Sequence, residues 1–141
     1  VPGSNQFYDG MVRRSATIVV RILIIDDEDQ PRRMLQQVLT RAGYEVIEAR
    51  NGNEGLRYFR ARPTDLIITD ILMPEKEGLE TIIDIRREFP AAKIIAISGG
   101  GRTGNLNLLE VAKRLGAQHT LQKPFELQEM LGAVRDLLPG S

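Results

Sequence analysis

The chain has 141 residues, enough for one domain, and folding at this size buries roughly two-thirds of the unfolded surface. Its 19 basic and 19 acidic residues cancel, so no global field draws it to nucleic acid or to a membrane surface. It has no cysteine for disulfide or thiol chemistry, and no apolar stretch nears the ~20 residues of a membrane span.

In chain order, residues 1–19 read as an N-terminal extension. Val1-Pro2-Gly3-Ser4 resembles a cloning scar, Met11 could serve as a native start, and residues 5–17 show no usable periodicity. No apolar core of about 7–15 residues marks this start as a secretory signal, so a cytoplasmic domain is expected. Residues 20–139 form the domain. Arg21-Ile22-Leu23-Ile24-Ile25 is a first strand. A helix starts near Gln30-Pro31 with Asp29 as its cap, carries an apolar stripe of Met34, Leu35, Val38, Leu39 and Ala42, and stops at Gly43. Tyr44 to Ala49 is a second strand and Asn51 to Arg60 a short helix. Leu66-Ile67-Ile68-Thr69 is a third strand, followed by a helix over Glu77 to Phe89. Ile94-Ile95-Ala96-Ile97 is a fourth strand, Leu106 to Leu115 a helix, His119-Thr120-Leu121-Gln122 a more polar fifth strand, and Glu126 to Leu138 the last helix. Gly140-Ser141 reads as a second scar, and nothing after Pro139 leaves room for an output domain within this chain.

The first three strands with a chemical residue at their ends are almost continuously apolar and rich in β-branched residues, as strands buried on both faces of a parallel sheet are. Each of four strands is followed at its carboxyl end by a group capable of chemistry: Asp26 and Asp27, Asp70, Ser98, and Lys123. In an open parallel sheet ligands bind beyond those ends, so three carboxylates, a hydroxyl and an ammonium converge. Two carboxylates about 5 Å apart repel by roughly 3 kcal/mol at an effective dielectric near 20. A cation or raised pKa values must relieve them. Oxygen-only ligands suit Mg²⁺, with Mn²⁺ as the alternative. Asp70 can then act as a nucleophile, since aspartyl phosphates are established covalent intermediates. Lys123 would supply a point charge to phosphoryl oxygens, and Ser98 a hydroxyl donor.

The ordered set Ile24-Ile25-Asp26-Asp27-Glu28, Asp70-Ile71-Leu72-Met73-Pro74 with Gly78-Leu79, Ile97-Ser98-Gly99, Gly116-Ala117 and Lys123-Pro124-Phe125 resembles the receiver domain of two-component response regulators, of the chemotaxis-regulator kind. The resemblance covers about residues 20 to 138. It implies a flavodoxin-like, doubly wound α/β fold with a five-stranded parallel sheet of order 2-1-3-4-5 and five helices. It implies that Asp70 accepts a phosphoryl group from a sensor histidine kinase or a histidine phosphotransfer protein. Asp27, Asp70 and the backbone carbonyl of Leu72 would bind Mg²⁺ directly, with Asp26 acting through water. Ser98 and Lys123 would contact the phosphoryl group and transmit its arrival, and the Lys123-Pro124 peptide would be cis. Such a domain phosphorylates and dephosphorylates itself without turning over a substrate. The face of the fourth helix, fifth strand and fifth helix would meet an output partner through residues such as Leu106, Val111, Arg114 and Gln118, and a phosphorylation-dependent homodimer is a further expectation.

One departure bears on switching. Receivers often carry Tyr or Phe three residues before the lysine, and this chain has Thr120, so an aromatic ring swing is unavailable. That keeps open a non-switching pseudo-receiver or scaffold. An aspartyl-phosphate phosphohydrolase needs a second acid two residues after the nucleophile, where this chain has Leu72. Gly99-Gly100-Gly101-Arg102-Thr103-Gly104 has the form of a dinucleotide fingerprint, but the next strand ends in Gln122-Lys123 rather than an acid, and a flexible switch loop is the preferred reading. His119 reads as a partly exposed strand residue, and Arg32 and Arg33 as a solvated helix face or a steering site for an acidic partner.

Overall fold

The computed structural model describes residues 19–71, 77–99 and 105–138, the side chains of 77 and 105–107 apart. Within them, strands and helices alternate: β1 (Arg21–Ile25), α1 (Asp29–Arg41), β2 (Glu45–Ala49), α2 (Gly52–Ala61), β3 (Leu66–Asp70), α3 (Glu77–Glu88), β4 (Ile94–Ser98), α4 (Asn105–Leu115), β5 (His119–Gln122) and α5 (Leu127–Leu137). The strands form one sheet in the order β2-β1-β3-β4-β5, and every neighbouring pair is parallel. Sequence order reverses direction at β1, so the crevice beyond β1 and β3 is the topological switch point where ligands of such sheets bind.

Side chains along a strand point alternately to opposite faces, and the core divides accordingly. Leu23, Ile25, Ile67, Ile94 and Ala96 pack with Leu56 and Phe59 of α2, Ile82 and Ile85 of α3, and Leu109 and Ala112 of α4. Ile22, Ile24, Leu66, Ile68, Ile95 and Ile97 pack on the other face with Leu35 and Leu39 of α1 and Met130, Ala133 and Val134 of α5. Every residue of β3 and β4 is buried. The fifth strand is half-buried throughout, as its polar sequence and edge position require.

Helix ends follow local chemistry, with one shift from expectation. Asn51 caps α2 by accepting the Glu54 N–H at 2.8 Å, and Glu126 and Glu129 form a reciprocal capping box at the start of α5. At α1 the cap is Glu28 rather than Asp29. The Asp29 carboxylate is instead engaged by Arg32 at 2.7 Å. Gly43 leaves α1 with φ +104°, a conformation L side chains rarely adopt.

Candidate functional site

Strand register brings the predicted residues together. Ile25 pairs with Thr69, so Asp26, the next residue, stands level with Asp70. Asp70 pairs with Ile97 and Ser98 with Gln122, which leaves Lys123 one residue beyond β5. Backbone bonds continue the sheet to these ends: Asp26 N–H donates to Ala49 O at 3.1 Å, Ile71 N–H to Ile97 O at 2.8 Å, and Lys123 N–H to Ser98 O at 2.8 Å. The Lys123-Pro124 peptide is cis, as expected.

The Lys123 ammonium bridges two carboxylates. It donates to Asp70 Oδ2 at 3.1 Å and lies 3.7 Å from Asp26 Oδ2. Burial pushes Asp26 up to about 6, and the Asp70 charge adds to the rise, against the N–H of Glu28 and the Lys123 charge. Burial works against the charge of Lys123 too, but Asp70 first and then Asp26 outweigh it and raise its pKa. Ser98 is fully buried, and its Oγ finds no hydrogen-bond partner among the described residues. An orphaned buried hydroxyl costs about 1–3 kcal/mol, and strand pairing sets Ser98 at the end of β4, one residue past the partner of Asp70.

The remaining predicted residues lie outside that ion pair. Asp27 is exposed, and among the described residues no three acidic or imidazole side chains form a preformed metal cage. Leu72 and Gly100–Gly104 lie outside the described residues, as does the Leu106 side chain. Thr120 is half-buried in β5, and Val111 and Arg114 are exposed on α4. Gln118 is exposed too; its Oε1 accepts the Ile94 N–H at 2.8 Å and its Nε2 donates to Ala92 O, clasping the start of β4. His119 is partly exposed, with Nε2 3.4 Å from Asp136 Oδ2.

Arg32 overturns its reading as a solvated or steering residue. It is 4 % exposed and donates through Nη1 to the backbone oxygen of Asp26 at 3.0 Å, through Nε to Glu48 at 2.9 Å and through Nη2 to Asp29. The signal was present in the spacing, because residues 32, 35 and 39 share one helix face and are the buried residues of α1.

The sequence profile of the response regulator receiver domain matches residues 22–135. The chain belongs to the response regulator receiver family. It is 36% identical over 115 residues to the chemotaxis protein CheY of Thermotoga maritima, covering 81% of this chain and 93% of that one. Among solved structures, a response regulator receiver domain protein from Clostridium thermocellum is similar with a TM-score of 0.78 at 30% identity, covering 85% of this chain and 94% of that one. The response regulator TrrA of Thermotoga maritima, solved in complex with Mg(2+)-BeF, is similar with a TM-score of 0.74 at 34% identity, covering 84% and 99%. Receiver domains are signalling modules of two-component systems that work with histidine kinases and output domains, and this receiver keeps their flavodoxin-like sheet order.

Proposed function

We propose that this receiver is a phosphorylation switch in which Asp70 accepts a phosphoryl group from a phosphohistidine on a histidine kinase or phosphotransfer protein. An Asp70 carboxylate oxygen attacks phosphorus, the P–O bond forms, the P–N bond to the donor imidazole breaks, and the imidazole leaves with the electron pair and takes up a proton. The observation that carries this reading is the Lys123 ammonium held between Asp70 and Asp26, with the orphaned Ser98 hydroxyl at the neighbouring strand end. After transfer, Lys123 neutralises phosphoryl oxygens, and the Ser98 hydroxyl gains the acceptor it lacks. Movement of Ser98 then passes to α4 and the face of α4, β5 and α5. Thr120 leaves a smaller rearrangement there than a ring swing.

The donor set suits Mg²⁺, with Mn²⁺ as the alternative: hard oxygen ligands, and a buried carboxylate whose pKa is raised toward neutrality in the absence of a cation. Asp26, Asp27, Asp70 and the Leu72 carbonyl would hold the ion, Asp26 through water. When bound, it would offset the charge that gathers on the transferred group. The TrrA complex supports this assignment by similarity.

Incubation of the full chain with Mg²⁺ and acetyl phosphate should add one phosphoryl group, mapped to Asp70 by mass spectrometry. Asp70→Asn should remain unmodified. Equal incorporation by Asp70→Asn would overturn the assignment.

A further inference from the structure

We infer that Arg32 is a positioning residue that sets the geometry of the Asp26–Asp27 turn, and through it the affinity of this site for a divalent cation. The inference rests on the functional reading above for the identity of the cation site. Its structural basis is a guanidinium fork that reaches three separate segments: the Asp26 carbonyl at the end of β1, Asp29 in the first turn of α1, and Glu48 in β2. The Asp26 N–H already donates to Ala49 O, so Arg32 leaves both backbone polar groups of Asp26 committed. The Asp26 side chain is held as well, since Oδ1 accepts the Glu28 N–H at 3.0 Å. Nothing else among the described contacts restrains the peptide that joins Asp26 to Asp27.

Packing alone does not account for an arginine here. Position 32 shares its buried face with Leu35 and Leu39, where an unbranched apolar side chain would fill the same space. Replacing a buried ion pair by well-packed apolar groups is often neutral or stabilising. What a guanidinium adds is three directed donors in one rigid plane, and one of them acts on the carbonyl between the two acids. Partners that orient ligating groups without touching the ion typically contribute 10- to 100-fold in metal affinity.

Three proteins decide it: the parent, Arg32→Met, which keeps volume and removes the donors, and Arg32→Lys, which keeps one charged donor group. Hydrogen exchange in EDTA reads the turn without metal or phosphoryl chemistry. Exchange at Asp27, Glu28 and Asp29 should rise in Arg32→Met, while Ile22 to Ile25 stay protected. Mg²⁺ titration by calorimetry should then give a dissociation constant about tenfold weaker in Arg32→Met and partly restored in Arg32→Lys. Acetyl phosphate labelling of Arg32→Met should recover to near the parent rate at saturating Mg²⁺, which a general loss of fold would not allow. Unchanged exchange in the turn, or Mg²⁺ affinity within twofold of the parent, overturns the inference. If Arg32→Met fails to fold, exchange in the turn and Mg²⁺ affinity are read on Arg32→Lys, where a rise and a weakening support the inference and parent-like values overturn it. A parent that binds no Mg²⁺ refutes the functional reading instead, and the exchange comparison still decides whether Arg32 holds the turn.

Discussion

Asp26 carries a cost that the folded chain tolerates. Its pKa is about 6 against an ordinary value of 3.8, so between these values the folded state binds more protons than the unfolded state. Stability from this group therefore falls as pH rises through that window, and by linkage the loss is on the order of 2–3 kcal/mol above it. Asp26→Asn removes the charge. In EDTA at pH 7.5 it should melt several degrees above the parent, and the gap should shrink toward pH 5, where the parent's Asp26 is largely protonated. A gap independent of pH in scanning calorimetry would show that burial of this carboxylate is not the cause. Ser98 gives a second expectation at this scale. Ser98→Ala deletes a buried hydroxyl with no partner among the described residues, so metal-free stability should hold or rise by about 1 kcal/mol. The same variant should lose the response of α4 to phosphorylation, read as chemical-shift changes.

At the scale of elements, α3 is packed onto the end of β3 by a glycine. A Cβ at Gly78 would overlap Ile71 Cα and sit 2.8 Å from the Asp70 carbonyl oxygen, both backbone atoms that cannot swing aside. Gly78→Ala should therefore destabilise by about 1–3 kcal/mol in urea melts and slow labelling at Asp70, since relief requires the Asp70–Ile71 backbone to shift. The helices also explain what sequence reading could and could not reach. For α1, a stripe drawn through Met34 misjudged the rotation: Met34 is 58 % exposed, whereas Arg32 is buried. An arginine reads as solvent-facing by composition, and only its partners, Asp29, Glu48 and a backbone carbonyl, make its burial tolerable. Those partners lie up to 16 residues away, beyond local pattern. Gln118 is exposed, yet its amide is taken by the backbone of a neighbouring loop and strand, partners equally far beyond local pattern. Strand ends were legible because parallel pairing in register turns three apolar runs and one more polar run into one line of carboxyl termini.

For the whole molecule, the sheet order followed from the family resemblance and the meeting of Asp26, Asp70 and Lys123 from the pattern of strand ends, while the distribution of charge among them did not. Whether Asp26 or Asp27 is the buried acid depends on where β1 ends against β2, which is settled by the Asp26–Ala49 backbone bond. Among the described residues no helix is long and apolar enough to cross a membrane. Because a ligand that binds only the folded state stabilises it by about 2.7 kcal/mol at a hundred times its dissociation constant, Mg²⁺ should raise the melting temperature of the parent by several degrees. The rise should be smaller in Asp70→Asn, and equal rises would argue against Asp70 as a ligand.

The most direct measurement is a structure of this receiver with Mg²⁺ and beryllofluoride, the phosphoryl mimic. Beryllium should sit on an Asp70 carboxylate oxygen, with the Lys123 ammonium and the Ser98 hydroxyl each bonded to a fluoride, and Mg²⁺ held by the Asp26–Asp27 turn and Asp70. Beryllofluoride bound elsewhere, or bound at Asp70 with the Ser98 hydroxyl still unpartnered, would contradict the proposed switch.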